Sequence, residues 1–240
     1  MVETGRKRCP EARLVSTTPS HQSPTGVTMS LSRRMSLLHW ARQAGAWILE
    51  DDYDSEFRFG GRPLEALQGL DHDGRVLYIG TFSKVLFPAL RLGYLVAPTP
   101  LIEPLLLMRR CLALHSPMLE QMALCDFMNE GHYARHLRRM RQRYKRRREL
   151  LEHEMQARLG GLLDVHAHEA GMQLVGWLPP GKDDRRAASL AAEVGIQALP
   201  ISIHSLEPLA RGGLVFSYAG FDEAAISHEV QTLAAALEQL

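Results

Sequence analysis

Val76-Leu-Tyr-Ile-Gly-Thr-Phe-Ser-Lys-Val-Leu-Phe-Pro-Ala-Leu-Arg-Leu-Gly-Tyr94 is the stretch on which the fold turns. Residues 76–81 form an apolar run that ends in a small-residue turn, the pattern of a buried strand. Lys84 stands just past that strand, and Arg91 follows seven positions later. Working outward, Glu50-Asp51-Asp52-Tyr53 closes a second apolar run at 46–49, and a third covers 92–97. Such runs, separated by glycines and helical periodicity, predict an α/β fold whose mostly parallel sheet carries helices on both faces.

The chemistry at these strand ends is specific. A strand end holds a side chain on fixed backbone, and a desolvated lysine amine forms Schiff bases with carbonyl compounds. Acid, phenol, lysine and arginine together are the set a pyridoxal phosphate site requires. A carboxylate facing the pyridine nitrogen keeps it protonated, so that the ring accepts electrons from a substrate carbanion. An opposite charge in contact shifts a pKa by roughly 1–3 units, at about 1.4 kcal/mol each, enough to set that protonation at neutral pH. By position either Asp51 or Asp52 can supply the charge, while Glu50 belongs to the strand end. Tyr53 would donate to the phenolic oxygen, and Arg91 with the Thr81 hydroxyl would hold the phosphate.

Composition bounds the alternatives. The chain has 240 residues, 45% hydrophobic and 23% charged, with a formal net charge of +1. That length allows one large domain or two modest ones, burying roughly 70–75% of the unfolded surface. Near-neutral charge argues against bulk electrostatic binding of nucleic acid. Cys9, Cys111 and Cys125 are widely spaced and odd in number, so no disulfide framework is expected. No apolar run reaches the ~20 residues of a membrane span, and residues 1–8 lack an apolar signal core. The expectation is a cytoplasmic protein.

Along the chain, 13–17 reads as a short strand stopped by the turn-rich Pro19 to Gly26. Leu31, Met35 and Leu38 fall at helical spacing, with Gly45 as the stop. After Pro98 the pattern becomes helical over 101–112, then from Pro117 to about 158 with a break at Gly131. Short strands at 163–166 and 172–177, a helix over 187–194, a strand over 214–218 and a closing helix over 222–240 suggest a smaller α+β domain. The expected organisation is therefore 1–115, a connecting helical segment 116–158, and 159–240. Within that segment the basic residues of 135–148 alternate with apolar ones at three- and four-residue spacing. This reads as the solvated face of an amphipathic helix rather than a DNA contact. His132 and His136, four apart, have a spacing compatible with zinc but no acidic or cysteine ligand placed beside them, and no metal site is expected.

Three blocks carry a family resemblance: Thr18-Pro-Ser-His-Gln-Ser-Pro-Thr-Gly26, Glu50-Asp-Asp-Tyr-Asp-Ser-Glu-Phe57, and Thr81-Phe-Ser-Lys-Val-Leu-Phe-Pro-Ala-Leu-Arg-Leu-Gly-Tyr94. In that order they resemble the MocR branch of the GntR transcriptional regulators, which carry an aminotransferase-like domain of PLP fold type I. The resemblance implies pyridoxal 5'-phosphate as cofactor, with Lys84 as the Schiff-base lysine and catalytic residue. It implies Asp51 as the pyridinium partner, Tyr53 as donor to the phenolic oxygen, and Thr81, Arg91 and Ser83 around the phosphate. It also implies a homodimer and an amino acid or amine as effector.

The departures from that pattern are informative. Such regulators begin with a winged helix, a linker and the first half of the aminotransferase-like domain, none of which is found before Arg13. Direct DNA contact is accordingly not expected of this chain. Ser23 stands where the family usually has an aromatic, and Gln173 where it often has histidine. True aminotransferases carry a carboxylate-gripping arginine in the late strand, where this sequence has Val215, with Arg211 nearby but out of register. The leading expectation is an incomplete cofactor-binding effector domain. A working transaminase and an inert truncated fragment are the rivals.

Overall fold

The computed structural model describes residues 2–61, 64–166 and 169–240. The chain divides into two compact units. One comprises residues 1–22, 27–56 and 62–137, the other 23–26, 57–61 and 138–240.

The first unit is built on four strands in the order β1 (Leu14–Thr17), β2 (Trp47–Asp52), β3 (Val76–Thr81) and β4 (Gly93–Val96). β1, β2 and β3 run parallel, with Thr17 opposite Glu50 and Asp51 opposite Ile79. β4 returns antiparallel, with Gly80 opposite Tyr94. β3 has the bounds its apolar pattern predicts, whereas β2 runs on beyond 46–49 to include all three acidic residues. Acids are poor strand formers. Here each buried carboxylate has a tertiary partner that outweighs the propensity.

Side chains alternate across β2: Ile48, Glu50 and Asp52 are buried, while Trp47, Leu49 and Asp51 on the opposite face are half-buried. α2 (Leu31–Ala44) lays Leu37, Leu38, Trp40 and Ala41 against Ala46, Ile48, Val76 and Leu67. It ends where the sequence places its stop, at Gly45 with φ of 60°, whose N–H caps the carbonyls of Ala41 and Arg42. α1 (Val2–Arg8) was not anticipated from its polar sequence. Glu3 in its first turn and Arg6, Lys7 and Arg8 in its last complement the helix dipole.

Two buried ions tie this unit together. Arg34 of α2, only 2% exposed, donates to the carbonyls of Met29 (3.0 Å), Glu65 (2.8 Å) and Pro19 (2.8 Å). Glu50, fully buried, accepts from Leu67 N–H at 2.9 Å and Gln68 N–H at 2.8 Å, capping α3 (Leu67–Leu70). Burial pushes the Glu50 carboxyl up, and those two N–H groups and the Arg34 charge pull it back.

The helices α4 (Thr99–Ala113), α5 (Met118–Asn129) and α6 (His132–Arg158) follow, with Gly131 at φ of 74° making the expected break before α6. The second unit holds an antiparallel sheet in the order β5 (Asp164–Val165), β6 (Gln173–Trp177), β8 (Gly213–Ser217), β7 (Leu199–Pro200). Its core packs Leu151 and Met155 of α6, Ala187 and Ala191 of α7 (Asp184–Glu193), and Val230 and Leu233 of α8 (Glu223–Leu237) on Leu174, Leu214 and Phe216. Val175, Ile201 and Val215 form a separate apolar cluster with Trp177 packed against it. Among the described residues no helix is long and apolar enough to cross a membrane.

Arg34→Met keeps a similar apolar stem but removes a donor from three carbonyls and the neighbouring cation from Glu50. The expected loss is about 3 kcal/mol. It should appear as a lower urea midpoint at unchanged m, and an unmoved midpoint would contradict the network's role.

Candidate functional site

Because β1, β2 and β3 are parallel, the segments that follow them emerge at one edge of the sheet, the edge where open α/β sheets bind ligands. Lys84 lies three residues past the end of β3 in a helical turn closed by Leu86 N–H to Phe82 O at 2.8 Å. Val85, 2% exposed, anchors the turn in the interior, and its carbonyl lies 3.0 Å from His136 Nε2. Phe82 packs edge-on to Tyr133 of the same helix. The Lys84 side chain is left exposed and makes no ion pair among the described residues. Thr81 Oγ1, at the strand end, accepts from Ser83 N–H at 3.2 Å.

Arg91 follows a short 3₁₀ turn, Pro88–Leu90, and holds φ of 52°, the left-handed region that non-glycine residues occupy at a cost of about 1–2 kcal/mol. Its side chain is exposed. Strain of this kind gathers where a binding residue must be aimed.

The two aspartates at the end of β2 have separate fates. Asp52 accepts from the Tyr78 hydroxyl at 2.8 Å and from Ser55 N–H at 3.2 Å. Burial and then the Asp52 charge hold the Tyr78 phenol far above its ordinary range, so it remains a donor. The Tyr94 ring crosses β3 at Gly80, where an added Cβ would run into the ring, so that strand position suits glycine. Asp51 lies on the opposite face of the strand and accepts no hydrogen bond among the described residues. Burial first, and the Asp52 charge second, push its carboxyl up. A half-buried acid raised by desolvation and a like charge is stabilised by a cationic partner, such as a protonated pyridine nitrogen. The alternation along the strand thus puts the two aspartates on opposite faces.

Tyr53 follows β2 and its hydroxyl donates to His21 O at 3.0 Å. His21 Nδ1 lies 3.0 Å from Asp54 Oδ2 and 3.1 Å from Tyr53 Oη. Sequence reasoning quoted His21 and Asp54 within motif blocks but assigned them no role, since nothing in their spacing shows that they meet.

Elsewhere, His132 Nε2 lies 3.0 Å from Glu130 Oε2, an acidic neighbour the sequence reading overlooked. Among the described residues no cluster of three metal-ligating side chains exists. In the second unit Arg211 donates to the carbonyls of Leu178 and Trp177 and pairs with Asp164 at 3.0 Å, which commits its guanidinium locally. Val215 is 5% exposed within its apolar cluster.

The mostly parallel sheet with antiparallel β4 has counterparts among known proteins. The chain belongs to the aminotransferase class I and II family, whose model matches residues 4–233. The probable rhizopine catabolism regulatory protein MocR of Rhizobium meliloti is 38% identical over 227 residues, covering 95% of this chain and 46% of that protein. The pyridoxine biosynthesis transcriptional regulator PdxR of Corynebacterium glutamicum is 34% identical, covering 86% of this chain and 44% of its own length. The MocR-type resemblance carried by the three sequence blocks therefore holds, and the chain spans about half the length of the curated relatives it matches. Among solved structures, kynurenine aminotransferase of Pyrococcus horikoshii, in complex with PMP, superposes with a TM-score of 0.89 at 26% identity, over 99% of this chain and 61% of that one. LysN, the α-aminoadipate aminotransferase of Thermus thermophilus complexed with N-(5'-phosphopyridoxyl)-L-leucine, does so at 0.88 and 28%, over 99% and 62%. The fold is that of the fold type I aminotransferases.

The raised Asp51 carboxyl has a measurable consequence. A carboxyl whose folded pKa exceeds its unfolded value favours folding at acid pH and loses that contribution as pH rises from the ordinary value of 3.8 through the raised one. Asp51→Asn without cofactor should therefore raise Tm at pH 7 and raise it less at pH 4. A gain independent of pH would refute this account of Asp51.

Proposed function

We propose that this chain supplies the pyridoxal phosphate-contacting part of an aminotransferase-like effector domain of a MocR-type transcriptional regulator. One observation carries the proposal. Lys84, Asp51, Tyr53, Thr81 and Arg91 all stand at or just beyond the carboxyl ends of two paired parallel strands, and Asp51 alone of the two aspartates lacks a hydrogen-bond partner among the described residues. The donor set fits the cofactor: an amine for its aldehyde, a raised acid for its ring nitrogen, a phenol, a hydroxyl and a guanidinium. When bound, the cofactor supplies an electron-withdrawing ring that stores the electrons released from an amino compound.

The roles of the chain's own groups follow. Lys84 would be the amine that holds the cofactor at its aldehyde carbon, from a turn fixed by Val85. Asp51 holds the ring-nitrogen proton. Tyr53 donates to the phenolic oxygen, while Arg91 and Thr81, with Ser83, take the phosphate. The effector is an amino acid or amine. We further propose a homodimeric, cytoplasmic protein, with DNA contact belonging to other parts of full-length relatives.

A transaminase is the second reading, favoured by 30% identity to aromatic-amino-acid aminotransferase 1 of Thermococcus litoralis over 79% of this chain and 46% of that enzyme. The sensor reading is preferred because Val215 is an apolar core residue where a carboxylate-binding arginine is expected, and Arg211 is committed to its own neighbours.

Addition of pyridoxal phosphate to the purified chain should produce a visible absorbance band that Lys84→Ala abolishes, and Arg91→Ala should weaken cofactor affinity about tenfold or more. A band indifferent to Lys84 would reject the site. Amino acids should shift the band without turnover of an oxo acid, whereas sustained turnover would favour the transaminase.

A further inference from the structure

The proposal above leaves one buried titratable pair unused. His21, four residues past β1, is 4% exposed, and Asp54, two residues past β2, is 2% exposed. The imidazole bridges the two segments that follow adjacent parallel strands, with Nδ1 at 3.0 Å from Asp54 Oδ2 and 3.1 Å from Tyr53 Oη. The return contact is from the Tyr53 hydroxyl to the His21 carbonyl, at 3.0 Å. Tyr53 itself is half-buried.

Hydrogen positions follow from the partners. An ionised carboxylate only accepts, so the nitrogen facing Asp54 must carry the hydrogen. That Nδ1–H also lies within reach of the Tyr53 oxygen. Tyr53 is thus held at two points by one residue, accepting at its lone pair and donating to the carbonyl. A phenol that accepts a hydrogen bond becomes a stronger donor through its own O–H. The segment carrying His21 is itself rigid: Arg34 holds the Pro19 and Met29 carbonyls, Thr28 Oγ1 donates to Ser20 O at 3.1 Å, and Gln22 N–H to Val27 O at 3.1 Å.

A purely structural role accounts poorly for this arrangement. Among the described residues His21 Nε2 is buried without a hydrogen-bond partner, which is unfavourable for a purely structural group. An apolar side chain of similar volume would fill the same space without that cost.

We propose that His21 and Asp54 are a positioning pair for the Tyr53 hydroxyl, with His21 the Nδ1–H donor and Asp54 the group that fixes this tautomer. The pair fixes the position of the Tyr53 oxygen, and its single hydroxyl hydrogen would turn from the His21 carbonyl to the phenolic oxygen when the cofactor binds. This inference rests on the pyridoxal phosphate reading, and its test has an arm that does not.

The first arm uses the full chain without cofactor, labelled with ¹⁵N-histidine. Long-range ¹H–¹⁵N correlation should show His21 protonated at Nδ1, with Asp54→Asn removing the preference. An Nδ1 without hydrogen in the wild type overturns the proposal. The second arm titrates pyridoxal phosphate into variants and reads the Lys84-dependent band. His21→Leu should weaken cofactor affinity about tenfold, the equivalent of one hydrogen bond, and shift the band. His21→Asn, which keeps a donor near the Nδ1 position, should restore much of both. In a Tyr53→Phe background His21→Leu should add little, since the two act on one group. An equal effect with and without the Tyr53 hydroxyl would reduce His21 to packing and sink the idea. Should no lysine-dependent band form at all, the cofactor reading fails, and the tautomer measurement then decides whether the pair exists.

Discussion

Arg34 is the group on which the first unit depends. A guanidinium with almost no access to water must find acceptors, and this one takes three carbonyls, two from the β1–α2 connection and one from the segment before α3. Glu50, next to it in charge if not in sequence, answers by capping α3. Each ion alone would be a heavy penalty in the interior. Together they fix the segment after β1, the helix over the sheet and the end of β2 in one arrangement. The loops that carry His21 and Tyr53 are held by that charge network together with hydrogen bonds of their own.

The same economy of charge shapes the strand end. Three consecutive acids would repel one another on a flexible turn. In an extended strand they point alternately to opposite faces, and two of the three meet donors. The remaining one, Asp51, carries the cost of burial and of a neighbouring negative charge. That unfavourable state makes it suited to a cation. The left-handed backbone at Arg91 is a second departure from the local optimum in the same region. Natural folds tolerate such departures where a site requires them.

Much of this was legible in one dimension. The bounds of β3, the αL stop at Gly45 and the break at Gly131 follow from local pattern, because glycine conformation and apolar runs act over a few residues. The end of β2 was not legible. Its acids argue against a strand, and the partners that overturn the argument, Leu67, Gln68 and Tyr78, come from later in the chain. α1 lacked an apolar stripe, and the antiparallel return of β4 has no signature in an exposed four-residue segment. The proposed cofactor residues Lys84, Asp51, Tyr53, Thr81, Ser83 and Arg91 were named because two short motif blocks carry them. His21 and Asp54 were quoted but unassigned.

The sequence by itself determined the bounds of β3, the glycine stops and which chemical groups gather near the strand ends, since apolar runs and turns are written in short-range pattern. Only the tertiary structure decided which aspartate is left without a partner and which phenol is gripped by a histidine. The reason is geometric. Period-two alternation puts neighbours on opposite faces, but which face finds donors depends on segments that pairing and packing bring in from tens of residues away.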